Sequence, residues 1–128
     1  MIALVLLITI LIPQIVFALT PGQVYERVKS SIVVVKAYNY KGNLTGMGSG
    51  VMLPSGNIVT NCHVLKEALS YTVSQGQIIK PATLMYSDPE MDLCLLNAPG
   101  MAAKPVRLGK AVNLRVGDPV FAVGAPQG

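Results

Sequence analysis

GSGVMLPSGNIVTNCHVLKEA, residues 48–68, contains the chain's single histidine, His63, with one of its two cysteines, Cys62, directly before it. Near the middle, PSGN (54–57) is a turn signal, because Pro presets φ and Gly accepts a left-handed backbone. The flanking runs GMGSGVMLP (46–54) and IVTN (58–61) read as two strands joined by that turn, the first loosened by glycines at its start. HVLKEAL (63–69) has a helical look for about two turns. A histidine at the end of a strand, opening such a turn, is held in a defined place with its ring free.

MDLCLL, residues 91–96, holds the other cysteine, Cys94, two places after Asp92. DLCLLNA (92–98) is apolar nearly throughout and suits a buried strand. An aspartate at its head can accept the ring N–H of a histidine and fix its tautomer, the pairing that activates a hydroxyl. A lone histidine is more often structural, so the surrounding sequence has to decide.

Working outward, LTPGQVYERVKSS (19–31) reads as a short helix. Thr20 suits the N-cap, Pro21 the first helical position, and Gln23 completes a capping box. Val24 and Val28 share one face. SIVVVKAYNY (31–40) is β-branched and aromatic, a strand. SYTVS (70–74) and QIIKPATLMYS (77–87) are two more, with Pro81 marking an edge or a bulge in the second. DPEM is a loop in which Asp88 and Glu90 are solvated. Six strands without βαβ alternation predict an all-β fold, a small antiparallel barrel or sandwich. Residues 99–118 read as an extended linker. PVFAVG (119–124) reads as one further strand without an obvious partner in the chain.

The 128 residues suffice for one modest domain and are too few for two. The twelve Gly and nine Pro punctuate the chain at the frequency that short strands and turns require. The net charge of +4 comes from scattered Lys and Arg, with no basic run or aromatic platform, so no nucleic-acid partner is expected. Residues 1–18, MIALVLLITILIPQIVFA, form a targeting candidate: an apolar core broken by Pro13, then Val16-Phe17-Ala18 as a cleavage site. Cleavage after Ala18 predicts a periplasmic or secreted protein. The alternatives are an uncleaved membrane anchor, the one route to a membrane, and a buried core segment. Two cysteines behind an export signal permit a disulfide.

The stretch 48–68 resembles the strand–turn–strand around the catalytic histidine of chymotrypsin-fold serine proteases, in particular the HtrA (Deg) branch. That branch runs through GSG, an apolar strand, a Gly turn and Thr-Asn-x-His-Val. MDLCLL resembles its Asp-Leu-Ala-Leu-Leu run, with Cys in place of Ala. PVRLGKAVNLRVGDPVFAVGAPQG (105–128) resembles its inter-barrel segment. The resemblance covers residues 25–128 in the family's order. It implies a chymotrypsin-like six-stranded antiparallel barrel, the first of two, over 31–98, preceded by a helical segment (19–30). A linker (99–118) and the first strand of a second barrel (119–128) would follow.

The same resemblance implies an exported serine endopeptidase acting on polypeptide, with His63 as general base and Asp92 as its orienter, and no metal or organic cofactor. The nucleophile does not carry over. No serine here lies in a Gly-Asn-Ser-Gly-Gly type run, and Ser49 falls at a strand position before the histidine. The chain reads as an amino-terminal half, expected to be inactive alone, with a missing second barrel as a candidate partner in trans. The rival reading is a non-catalytic pseudoprotease or binding module. The chain lacks an Ile-Val-Gly-Gly start, so activation by insertion of a new amino terminus is not expected.

On this alignment, contact between His63 and Asp92 brings Cys62 and Cys94 close, because alternation along a strand points Cys94 the way Asp92 points. A Cys62–Cys94 disulfide is expected. The bridging cysteine of many animal relatives follows the histidine rather than preceding it, so their disulfide does not transfer. Two buried free thiols, a zinc site of Cys62, His63, Cys94 and Asp92, and Cys62 as a nucleophile stay as alternatives.

Overall fold

The computed structural model describes residues 19–125. The opening segment 1–18, with its expected cleavage site, lies outside the described residues. Among them, no helix is long and apolar enough to cross a membrane.

Helix α1 spans Pro21–Val28. Its start has the reciprocal pattern expected from the sequence. The Gln23 backbone N–H donates to Thr20 Oγ1 at 3.3 Å, and the Thr20 N–H donates to Gln23 Oε1 at 2.9 Å. Val24 and Val28 are its only half-buried residues, and none is fully buried. The helix is therefore fixed by its cap more than by packing.

Six strands follow: β1 (Ile32–Tyr38), β2 (Leu44–Met52), β3 (Ile58–Thr60), β4 (Ser70–Gln75), β5 (Ile78–Asp88) and β6 (Leu93–Asn97). They close into an antiparallel barrel in the order β1-β2-β3-β6-β5-β4. Closure removes the free edges that an open sheet of this size would expose. Strand β5 makes closure possible by changing partners. Its residues 78–82 pair with β4 and its residues 83–88 with β6. Pro81, opposite Thr72, sits in the part paired on one side only, so the edge reading holds. The bulge lies further on, between Leu84 and Tyr86.

Alternate residues of β1, Val33, Val35 and Ala37, point into the barrel and meet Met52, Ile58, Val73, Cys94 and Leu96. Each fully buried aliphatic side chain contributes about 1.5–3 kcal/mol. The buried Thr60 hydroxyl donates to the Ser49 carbonyl at 2.8 Å, and among the described residues no buried side-chain polar atom lacks a partner. Before Met52, the inward face of β2 contributes glycines instead. A Cβ on Gly50 would lie 2.7 Å from Ile58 Cγ2, and one on Gly48 would lie 2.6 Å from Val64 Cγ2. One on Gly46 would collide with the Val64 carbonyl oxygen. This bare strip lets the segment after β3 lie across the barrel mouth.

Four expectations are corrected. Residues 63–69 do not make two helical turns: a single 3-10 turn spans Cys62–Leu65. Glu67, in the left-handed region at φ 58°, stops it from continuing. Asp92 is not the head of the sixth strand. It precedes β6 in a left-handed conformation, φ 52°. That strand is half-buried rather than buried, with Leu93 exposed and Cys94 and Leu96 inside. Finally, residues 119–124 form no strand. A strand exists only by pairing, and this segment pairs with none of the six strands. The segment returns to the barrel by one bond, from the Ala125 N–H to Ser49 Oγ at 2.8 Å. The stretch before it is tied down at its beginning, where the N–H groups of Lys104 and Val106 donate to Ser30 and Met52 carbonyls at 2.8 and 2.9 Å.

Candidate active site

Val64 and Leu65 are buried and Cys62 packs against the core, so the Cys62–Leu65 turn is pinned on both sides of His63, which is exposed. The β5–β6 connection delivers Asp92 to the same place. There the Asp88 carboxylate accepts the Met91 N–H at 3.1 Å, and the Asp92 N–H donates to the Pro89 carbonyl at 3.3 Å. This tight loop ends with Asp92 in the left-handed region, which Asp tolerates better than most residues. Asp88 is thus a turn-former, and Glu90 is solvent-exposed.

Asp92 grips His63 with both oxygens. Oδ1 accepts the His63 backbone N–H at 2.9 Å, and Oδ2 lies 2.6 Å from His63 Nδ1. The His63 backbone N–H, and next the ring, hold the Asp92 carboxyl below the usual carboxylate range, outweighing the smaller opposing effect of desolvation. An ionised carboxylate can only accept, so the proton on this contact belongs to Nδ1. In the neutral ring Nε2 is then the lone-pair nitrogen. No hydrogen bond occupies it among the described residues, and the side chain is 71% exposed. Chemically, such an arrangement can serve as a base, with its tautomer set and Nε2 open to a proton donor.

Cys62 and Cys94 form a disulfide, with Cα atoms 5.0 Å apart. Both sulfurs are consumed, so the free-thiol, zinc and Cys62-nucleophile readings fall. Among the described residues no three His, Cys, Asp or Glu side chains gather to hold a metal. The bond joins residues 32 apart in sequence, a constraint on the unfolded chain of about 3–4 kcal/mol in the chain-entropy model. The parity reasoning that anticipated it does not apply, since Asp92 stands outside the strand. The true link is shorter: Thr60 pairs with Cys94 across β3 and β6, and the chain turns just past Thr60 to bring Cys62 over its partner.

A hollow of about 410 Å³ opens beside the pair, lined by His63, Asp92, the disulfide, Leu65, Tyr71 and Leu84 among others. Ser49 is elsewhere, accepting the Ala125 N–H through its hydroxyl. No serine among the described residues is hydrogen-bonded to His63. Sequence reasoning passed over Asn61, whose amide donates to both Asp92 Oδ2 and the Asp92 carbonyl at 3.1 Å. Its place two residues before His63 was the available signal.

Residues 48–128 match the family model for the trypsin-like peptidase domain. The chain belongs to that family. The trypsin-like match agrees with the curated relatives. The chain is 33% identical over 123 residues to serine protease PepD of Mycobacterium tuberculosis, covering 84% of this chain and 26% of that protein. It is 37% identical over 84 residues to a probable periplasmic serine endoprotease, DegP-like, of Ectopseudomonas mendocina, covering 64% of this chain and 18% of the relative. A solved serine endoprotease from Yersinia pestis superposes with a TM-score of 0.61 at 27% identity, over 73% of this chain and 34% of that one. The trypsin-like fold and the HtrA-like resemblance are thereby borne out. The chain spans about a quarter or less of the length of these curated relatives.

Proposed function

We propose that this chain supplies the base and its orienter to an exported trypsin-like serine endopeptidase that hydrolyses polypeptide through an acyl-enzyme. The observation that carries the reading is the two-oxygen grip of Asp92 on His63, which fixes the ring's position and its tautomer together. His63 Nε2 would take the proton of an attacking serine hydroxyl and return it to the leaving amine. Asp92 would stabilise the imidazolium formed between those steps without itself being protonated. The serine and the oxyanion donors would come from polypeptide outside residues 19–125. Without a positioned hydroxyl the base can only assist water. Loss of the oxyanion donors removes a further 3–4 kcal/mol or so of transition-state stabilisation. Residues 19–128 alone should therefore hydrolyse casein at background rate. Export to the periplasm or beyond is supported by the DegP-like relatives described as periplasmic and by the character of residues 1–18.

The test is a chimera of residues 19–128 with the second half of the Ectopseudomonas mendocina relative's protease domain. It should hydrolyse casein, His63→Ala should abolish the activity, and Asp92→Asn should lower it by roughly ten-thousandfold. A chimera that melts cooperatively yet shows no His63-dependent hydrolysis would overturn the proposal in favour of a non-catalytic module.

A further inference from the structure

We infer that Asn61 is a positioning residue for the His63–Asp92 pair: its side-chain amide locks the Asp92 carboxylate to the Asp92 main chain, and so aims Oδ2 at the ring. The inference deepens the reading of these residues as a base and its orienter.

Asn61 stands at the N-cap of the Cys62–Leu65 turn. An Asn there ordinarily turns its side chain onto the first N–H groups of its own turn. This one makes no such bond. Its amide nitrogen reaches across 31 residues of sequence to Asp92, donating at 3.1 Å to Oδ2 and at 3.1 Å to the backbone carbonyl. Both partners are pure acceptors, so the amide must face them with its NH₂ group; the flipped amide would set oxygen against oxygen.

The need for such a brace follows from where Asp92 sits. Its side chain is 40% accessible, so packing alone does not fix the carboxylate. Its left-handed backbone places it outside the strand that would otherwise hold it. Three consecutive residues converge on it. Asn61 supplies the amide, Cys62 its backbone N–H to the Asp92 carbonyl at 3.4 Å, and His63 its backbone N–H and ring. Only the Asn61 contact spans the Asp92 main chain and side chain at once. Removing it leaves His63 as the carboxylate's remaining anchor, through its backbone N–H and ring, and loosens the aim of Oδ2 while leaving Asp92 in place. The Asn61 amide also adds to the forces that keep the Asp92 carboxyl ionised, though less than His63 does.

The chain has one histidine, so ¹⁵N-histidine labelling of the full 128-residue protein reports on this ring alone. At a pH where the ring is neutral, the two nitrogen shifts give the ratio of the Nδ1–H to the Nε2–H tautomer. Wild type should favour Nδ1–H. Asn61→Ala should shift the ratio toward Nε2–H by roughly twofold to tenfold, the net weight of one ordinary hydrogen bond. Asn61→Asp, which keeps the shape but replaces the donor with a second carboxylate, should shift it further. Asn61 is exposed, so neither change opens the core, and unaltered methyl shifts of Val35 and Leu96 would confirm an intact barrel. Asp92→Asn is the reference and should abolish the preference. If it does not, the pairing of His63 with Asp92 as base and orienter is itself wrong. If Asp92→Asn abolishes the preference while both Asn61 variants keep the wild-type ratio, Asn61 positions nothing and the inference is overturned.

Discussion

The bare inward face of β2 makes a sharp demand on Gly46 and Gly48. In an extended strand, Gly→Ala ordinarily stabilises by about 0.4–1 kcal/mol, because it restricts the unfolded chain. Here the added methyl has nowhere to go. At Gly48 it would meet Val64 Cγ2 at 2.6 Å and Cγ1 at 3.3 Å. Carbon atoms pack best at about 3.5–4.0 Å, so Val64 must retreat by roughly 1 Å. Val64 is buried, and overpacking of this kind costs about 1–3 kcal/mol. Gly48→Ala should therefore destabilise the chain by about 1–2 kcal/mol in urea titration, the overpacking cost less the chain-restriction gain. Gly46→Ala should cost more, because its obstacle is the Val64 carbonyl, which no rotamer change removes. A double-mutant cycle separates the two. Val64→Ala should relieve Gly48→Ala, with a coupling of about 1 kcal/mol or more, and should not relieve Gly46→Ala. Gly22, with nothing within 4 Å of its would-be Cβ, is the control and should tolerate Ala. A Gly48→Ala protein as stable as wild type, or an additive cycle, refutes the claim that these glycines seat the histidine turn.

Two further outcomes follow from the same geometry. Reducing the Cys62–Cys94 bond should lower stability by about 3–4 kcal/mol, read as a shift of the urea midpoint on adding dithiothreitol; coincident curves would mean that the bond constrains nothing. The Asp92 carboxyl is held below its ordinary value by His63, so its contribution is complete above the unfolded value and is lost as pH falls through the lower folded one. The stability gap between wild type and Asp92→Asn should thus shrink as pH falls below about 4. A gap unchanged down to about pH 2 would remove the depressed carboxyl from the account.

The barrel was legible because its strands carry their own signals: β-branched runs in 32–38, a Pro-Ser-Gly-Asn turn, and apolar alternation in 70–75. His63 and Asp92 were legible because two short motifs carried them in the family's order. What failed was whatever depends on a partner. The helical look of 63–69 is a local preference, overridden once Val64 is seated on the glycine strip and Glu67 turns left-handed. The strand at 119–124 needed a pairing partner, and none of the six barrel strands takes that part. The role of Asn61 was masked because its two contacts lie 31 residues away and an ordinary capping role would have sufficed to explain it, leaving only its nearness to His63 as a signal.

The Cys62–Cys94 bridge also alters how the barrel can assemble. Strands β4 and β5 lie wholly within the covalent ring it closes, while β3 and β6 flank its two ends. In the open chain the Thr60–Cys94 pairing must be found by a search over the intervening sequence, and its closure entropy precedes any reward from packing. In the bridged chain the same pairing is a near-neighbour contact, two residues and one sulfur link away. The oxidised protein thus has a lower effective contact order than its sequence separation suggests. It should refold faster than the reduced form, and its slowest remaining step should be the docking of β1 on β4 that completes the barrel.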